Sequence, residues 1–268
     1  MFKILKKTQL ADQTKLYVIN APEIAAKAKP GQFVVVRISD TGERIPLTIA
    51  DMDVTKGTLE LVVQEIGHTT KKMGELQEGR PILDLVGPLG MPTHIEKLGT
   101  VVGVGGGIGI AALYPVVRGF KNAGNKTISI LGARSKGLLI WEDKMKNVSD
   151  ELYITTDDGS LGQKGLVINP LKEMIDKGIK IDLVFAVGPT IMMKAVADTT
   201  RQYNIKTIVS LNPIMIDATG MCGGCRVNVG GKTKFTCVDG PDFDAHAVDF
   251  GLLMQRQKMY KNAEKAIS

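Results

Sequence analysis

The chain has 268 residues, a hydrophobic fraction of 44% and a formal net charge of +6, enough for two domains and a small third module. Its basic residues are interspersed with acids, and aromatics make up only 5%. It therefore has neither a basic helix nor a stacking ladder, which argues against a nucleic-acid role, and the net charge reads as an ordinary solvated surface.

The N-terminal run Met1-Phe2-Lys3-Ile4-Leu5-Lys6-Lys7 lacks the apolar core of a secretory signal, so a cytoplasmic location is expected. Short apolar runs at 15–19, 33–38, 58–64 and 81–86 are separated by turn residues, including Pro30-Gly31-Gln32. That pattern predicts an antiparallel β-barrel. From Thr100 onward, apolar runs at 101–104, 128–131, 152–155 and 183–187 alternate with helical stretches, predicting an α/β domain with a parallel sheet. The uncharged stretch 98–117 is long enough to imitate a membrane span, but its glycines and Pro115 read as strand, turn and helix, so no membrane span is expected. Beyond Thr207 the chain is glycine-rich, holds all three cysteines and ends in a predicted helix over 247–263. The expected organisation is a barrel at 1–97, an α/β domain at 98–206 and a small module at 207–268.

Gly103-Val104-Gly105-Gly106-Gly107-Ile108-Gly109 follows an apolar strand and opens a helical run. This context suits an anionic phosphate at a helix N-terminus. In no register do these glycines satisfy G-x-G-x-x-G, so the ordinary dinucleotide fingerprint is absent; a turn needed only for packing is the alternative. After the next strand, Gly132-Ala133-Arg134-Ser135-Lys136 lacks the acid that holds an adenosine ribose in a classical NAD site. Arg134 and Lys136 either meet a phosphate or are solvated charges. Gly188-Pro189-Thr190-Ile191-Met192 forms another turn at a strand's C-terminal end, where ligands of such folds bind.

Cys222, Cys225 and Cys237 form a C-x2-C-x11-C pattern among glycines. An odd, crowded set argues against a disulfide framework and toward a metal. The spacing matches a plant-type iron–sulfur run, C-x4-C-x2-C…C, with Asp217 in the first slot. A [2Fe-2S] cluster on Asp217, Cys222, Cys225 and Cys237 is one reading. A zinc knuckle completed by His246 or Asp217, and metal-free structural thiols, are the others. Asp239 and His246 are alternative fourth cluster ligands.

Together these segments resemble the ferredoxin-NADP reductase superfamily, over nearly the whole chain. Gly106-Gly107-Ile108-Gly109-Ile110-Ala111 is similar to that family's GGxGIA turn, with Ala112 where proline is common, and Gly188-Pro189-Thr190-Ile191-Met192 to its GPxxM segment. ERIPLTI at 43–49, GMCGGCRV at 220–227 and CVDGPDFD at 237–244 narrow the resemblance. They point to the branch containing dihydroorotate dehydrogenase electron-transfer subunits and the small subunits of NADH-dependent ferredoxin:NADP oxidoreductases (sulfide dehydrogenase beta subunits). The dihydroorotate enzymes use four cysteines, so Asp217 favours the latter group.

The resemblance implies a barrel that binds FAD, an α/β domain that binds NAD(H) or NADP(H), and a C-terminal iron–sulfur module. It implies FAD contacts from Arg44, Pro46, Leu47, Thr48, Gly67, Thr69 and Thr70, with Thr48 near the flavin N5. The flavin motif departs from R-x-Y-[ST]: Ile45 stands where arginine belongs, and Arg44 lies one residue early. Nicotinamide nucleotide contacts are implied for Gly106, Gly107, Gly109, Arg134, Gly188 and Pro189. The implied partner is a larger flavin and iron–sulfur subunit, with ferredoxin reached through the complex. The competing expectations are a pyrimidine-synthesis electron-transfer subunit and a zinc-stabilised, non-enzymatic interaction protein.

Overall fold

A computed structural model describes residues 2–260. Seven antiparallel strands make the first sheet: β1 (Phe2–Ala11), β2 (Thr14–Asn20), β3 (Phe33–Arg37), β4 (Ile45–Asp53), β5 (Thr58–Gln64), β6 (Pro81–Ile82) and β7 (Asp84–Leu89), in the order β6-β1-β2-β5-β4-β3-β7. The two edge strands are separated in sequence only by Leu83, so the sheet curls until its edges meet in a near-closed barrel. The predicted strand at 81–86 is thus two strands, one on each edge. Alternation fills the interior: Val34 and Val36 of β3 join Ile49, Leu59, Leu61 and Val63 in one core, while Phe33 and Val35 point outward. A four-residue helix, α1 (Pro22–Ala25), lies on the barrel, and α2 (His68–Glu75) seats Met73, whose carbonyl accepts the Tyr17 hydroxyl at 2.9 Å.

The second sheet comprises β8 (Thr100–Gly106), β9 (Lys126–Ala133), β10 (Glu151–Thr156), β11 (Gln163–Lys164), β12 (Leu183–Val187) and β13 (Thr207–Ser210), all parallel. Strands β14 (Arg226–Val229) and β15 (Lys232–Phe235) form a separate hairpin, and β16 (Asp242–Asp244) closes the sheet antiparallel to β13. The order is β11-β10-β9-β8-β12-β13-β16. Central strands are buried along almost their whole length, as a sheet covered on both faces requires. Helices α3 (Gly109–Asn122) and α4 (Glu142–Val148) cover one face; α5 (Ile168–Asp176) and α6 (Thr190–Arg201) cover the other. The cysteine loop continues through the short α7 (Thr236–Asp239). The last helix, α8 (Phe250–Arg256), begins where the Asp249 carboxylate accepts the Leu252 N–H at 2.9 Å, an N-cap that delays the start predicted at 247. It ends well short of 263, and residues 261–263 lie outside the described residues. The stretch 98–117 forms strand, turn and helix, and no helix among the described residues is long and apolar enough to cross a membrane.

Candidate functional site

The barrel and the parallel sheet meet through α3, whose Ala111 and Tyr114 share a core with Ala11, Ala50 and Val62 of the barrel. Beside this contact lies a cavity of about 770 Å³, within the range of a cofactor cleft. Its walls bring together Pro46, Leu47 and Thr48 of β4 with Gly106, Gly107, Gly109, Arg134, Gly188 and Pro189 of the α/β domain. The two glycine turns touch backbone to backbone. A Cβ on Gly109 would stand 2.5 Å from the Val187 carbonyl oxygen, and one on Gly188, which has φ +155°, only 3.0 Å from the Gly106 nitrogen and oxygen.

Arg44, Gly67, Thr69 and Thr70 do not line this cavity. Thr69 is buried and donates its hydroxyl to Glu43 at 2.8 Å, which ties the start of α2 to the segment before β4. The Thr70 hydroxyl accepts the Ile66 and Gly67 N–H groups at 3.1 and 3.0 Å, closing the helix start. Arg44 is exposed, and its charge acts on Asp217 of the cysteine loop. Sequence reasoning missed Asp157, Ser210 and Asn212, which reach the cavity from strand ends. Only their position at the C-terminal edge of the sheet could have flagged them.

The cysteine loop packs on the outer face of the same barrel. Cys225 and Cys237 are buried with Phe33 and Val35, their sulfurs 3.2 Å apart. Phe33 and Val35 pair directly with Thr48 and Pro46, so the strand that carries the cavity wall and the strand against which the cysteine pair packs are neighbours, about 4.8 Å apart in the ladder. Cys222 is exposed; the Gly224 N–H, 3.4 Å from its sulfur, and the Asp217 backbone hold its thiol below the usual range. The Asp217 carboxyl is also lowered, chiefly by the Thr219 hydroxyl. Burial, with the Cys225 thiol beside it, pushes Cys237 up to about 12. Two enclosed thiols in contact cannot both ionise unless a cation joins them, which is what an iron–sulfur group supplies. His246 places Nε2 3.0 Å from the Thr200 hydroxyl, and Asp239 accepts the Phe235 N–H at 2.7 Å. Among the described residues no three His, Cys, Asp or Glu side chains converge as a single metal-binding group; Cys225 and Cys237 touch, and the exposed Cys222 has the Asp217 backbone beside its sulfur.

Two family models match segments of the chain. Residues 1–94 match the oxidoreductase FAD-binding domain, and residues 212–249 the iron–sulfur cluster binding domain of dihydroorotate dehydrogenase B. A Thermotoga maritima protein described as a homolog of the dihydroorotate dehydrogenase B (NAD(+)) electron transfer subunit is 47% identical, with 98% of this chain and 93% of that one covered. The chain belongs to the family of dihydroorotate dehydrogenase B electron transfer subunits and their homologues. A Fusobacterium nucleatum electron transfer subunit of this family is 32% identical over 91% of this chain and 96% of its own. A solved structure of the NADH-dependent reduced ferredoxin-NADP oxidoreductase superposes with TM-score 0.95 at 46% identity, covering 100% of this chain and 96% of that one. Phthalate dioxygenase reductase, at 15% identity and TM-score 0.57 over 85% of each chain, shares the fold. Membership in the electron transfer subunit family makes this chain an oxidoreductase-type subunit with an FAD-binding domain and an iron–sulfur-binding domain, and the cavity and cysteine loop lie in or against those domains.

Proposed function

We propose that the chain moves a hydride between a nicotinamide nucleotide and FAD, and single electrons through a [2Fe-2S] cluster to or from a larger flavin and iron–sulfur subunit, with ferredoxin reached through that complex. The observation that supports it most is the adjacency of the cavity wall on β4 and the cysteine pair against β3. Electron transfer needs redox centres close together, and here one strand spacing separates their candidate supports.

Bound flavin takes two electrons as hydride and releases them singly, which is the chemistry the cofactor itself supplies. The protein's part is positioning. Pro46, Leu47 and Thr48 offer one wall, with the Thr48 hydroxyl available to hydrogen-bond the flavin edge near N5. Gly106, Gly107 and Gly109, packed against Gly188 and Pro189, offer an opposing surface without side chains on which a nicotinamide ring can lie close. The N-terminus of α3 and Arg134 would hold phosphate. Gly67, Thr69 and Thr70 at the start of α2 would serve a second phosphate contact. Arg44, by its field on Asp217, would act toward the cluster side as well as the flavin pyrophosphate.

Cys222, Cys225, Cys237 and Asp217 would hold the cluster, which would supply one-electron transfer; the touching Cys225 and Cys237 thiols, with Cys222 apart from them, suit a two-iron group better than one tetrahedral zinc. The names of the relatives support a second reading, in which the partner is the catalytic subunit of a dihydroorotate dehydrogenase. Purification with the native partner, followed by flavin and iron counts, tests both. Flavin absorption with two irons per chain and reduction by NADH or NADPH is expected; stoichiometric zinc and no flavin bands would sink the redox reading. Oxidation of dihydroorotate by the complex would select the second partner.

A further inference from the structure

Ser210 lines the cavity and stands opposite Asp242 in the β13–β16 ladder. Although Asp242 as a residue is only half-buried, its carboxyl is enclosed. Oδ2 accepts the Thr93 hydroxyl at 2.6 Å, and Oδ1 has no hydrogen-bond partner. A sealed, unpartnered carboxylate oxygen is costly. The Thr93 hydroxyl, from the connector before β8, bonds it, and Ser210, opposite it in the β13–β16 ladder, brings a second hydroxyl to the same side without closing a hydrogen bond; no ionised side chain acts on it. Asp244, next on the same side of β16, instead accepts the His246 N–H at 2.9 Å. Burial pushes Asp242 up to about 6, within exchange range of neutral solution. The other titratable groups in the cavity wall, Asp157 and Arg134, follow β10 and β9, four and three strand positions from β13, or roughly 19 and 14 Å.

Resting on the flavin and cluster reading above, we propose that Asp242, through the Ser210 hydroxyl, is the proton acceptor for the flavin side of this cavity. Hydride transfer leaves a hydrogen on flavin N5. When both electrons then leave singly for the cluster, the N5–H bond breaks and only its proton remains to be removed. Ser210 passes its own proton to the Asp242 carboxylate as it accepts the flavin's, and Asp242 later releases that proton to solvent. With electrons flowing the other way the same path runs in reverse.

The test is an infrared difference spectrum of flavin reduction and reoxidation, taken on the complete complex with the flavin bands read in the same sample. The expected result is a carboxylic-acid carbonyl signal that tracks reoxidation, is lost in Asp242→Asn and Ser210→Ala, and accompanies roughly 100-fold slower electron delivery to the cluster in both, the low end for a positioned proton-transfer group. Flavin bands without a carboxyl signal, a signal that survives Asp242→Asn, or one unchanged in Ser210→Ala would overturn the relay alone. Absent flavin bands would overturn the functional reading and the relay with it. Ser210→Ala keeps the test decisive should Asp242→Asn fail to fold.

Discussion

At the scale of single residues, Asp242 links the fold to pH. Its folded value of about 6 lies above that of an unfolded aspartate, near 3.9. The native state therefore binds the extra proton, and the stability this gives is fully present below about pH 4 and lost as pH rises through 6. The span corresponds to about 3 kcal/mol. Denaturant titrations should show Asp242→Asn more stable than the parent at pH 8 by about that amount, with the gap closing by pH 4; parallel curves across that range would contradict the burial argument. Asp217 gives a second test. Its backbone lowers the exposed Cys222 thiol, while its carboxylate accepts the Thr219 hydroxyl. Asp217→Cys should retain the cluster with an altered visible spectrum, whereas Asp217→Ala should lose or destabilise it, read as iron per chain. An unchanged spectrum in both removes Asp217 from the ligand set.

Among elements, the two glycine turns separate steric from conformational demands. Gly107 has φ +55° and open space within 4 Å of where a methyl would stand, whereas Gly109 would drive a Cβ into the Val187 carbonyl. Gly107→Ala should cost the fold only the left-handed backbone penalty, about 1–2 kcal/mol, with its methyl standing in the cavity where the nicotinamide is proposed to lie. Gly109→Ala should force the β8 and β12 turns apart and weaken nicotinamide nucleotide binding at least tenfold, measured by titration of the flavin-loaded chain. These turns were legible because strand, glycines and helix are contiguous. The same holds for the strands at 58–64 and 183–187, which end at turn residues on both sides. Strand β1 was not, because Lys3, Lys6 and Lys7 and a bulge between Ile4 and Lys6 break its alternation. Strand β4 was visible only as a motif: its barrel-facing positions are shared with outward ones that serve the cavity. Asp157 and Ser210 were silent, and the burial of Asp242 was not readable from its motif. Ser210 and Asp242 gain their setting from strand pairing, and Asp157 from its place just past β10, which no local pattern records.

For the whole molecule, the position of the barrel on the α/β domain decides the shape of the cavity, and that position is fixed by charge as well as by the α3 core. Asp51 of β4, 14% exposed in its side chain, is held by Arg118 of α3 at 2.7 Å and by Lys144 of α4 at 3.3 Å. Lys144 also reaches Glu60 of β5 at 2.7 Å and lies 4.0 Å from the Trp141 ring centroid. Two cations of one domain thus converge on one carboxylate of the other. Removing it leaves Arg118 half-enclosed without its anion, while Lys144 keeps Glu60. Because these groups retain some solvent, the loss is discounted from that of a fully buried pair to about 1–2 kcal/mol. Asp51 lies only three residues beyond Thr48 on the same strand, so the strain falls on the cavity wall itself. Asp51→Ala should lower the melting temperature by a few degrees and weaken FAD retention, while iron content, which depends on the loop against β3, stays at the parent level. Joint loss of flavin and iron would mean that the barrel itself, rather than its seating, depends on Asp51.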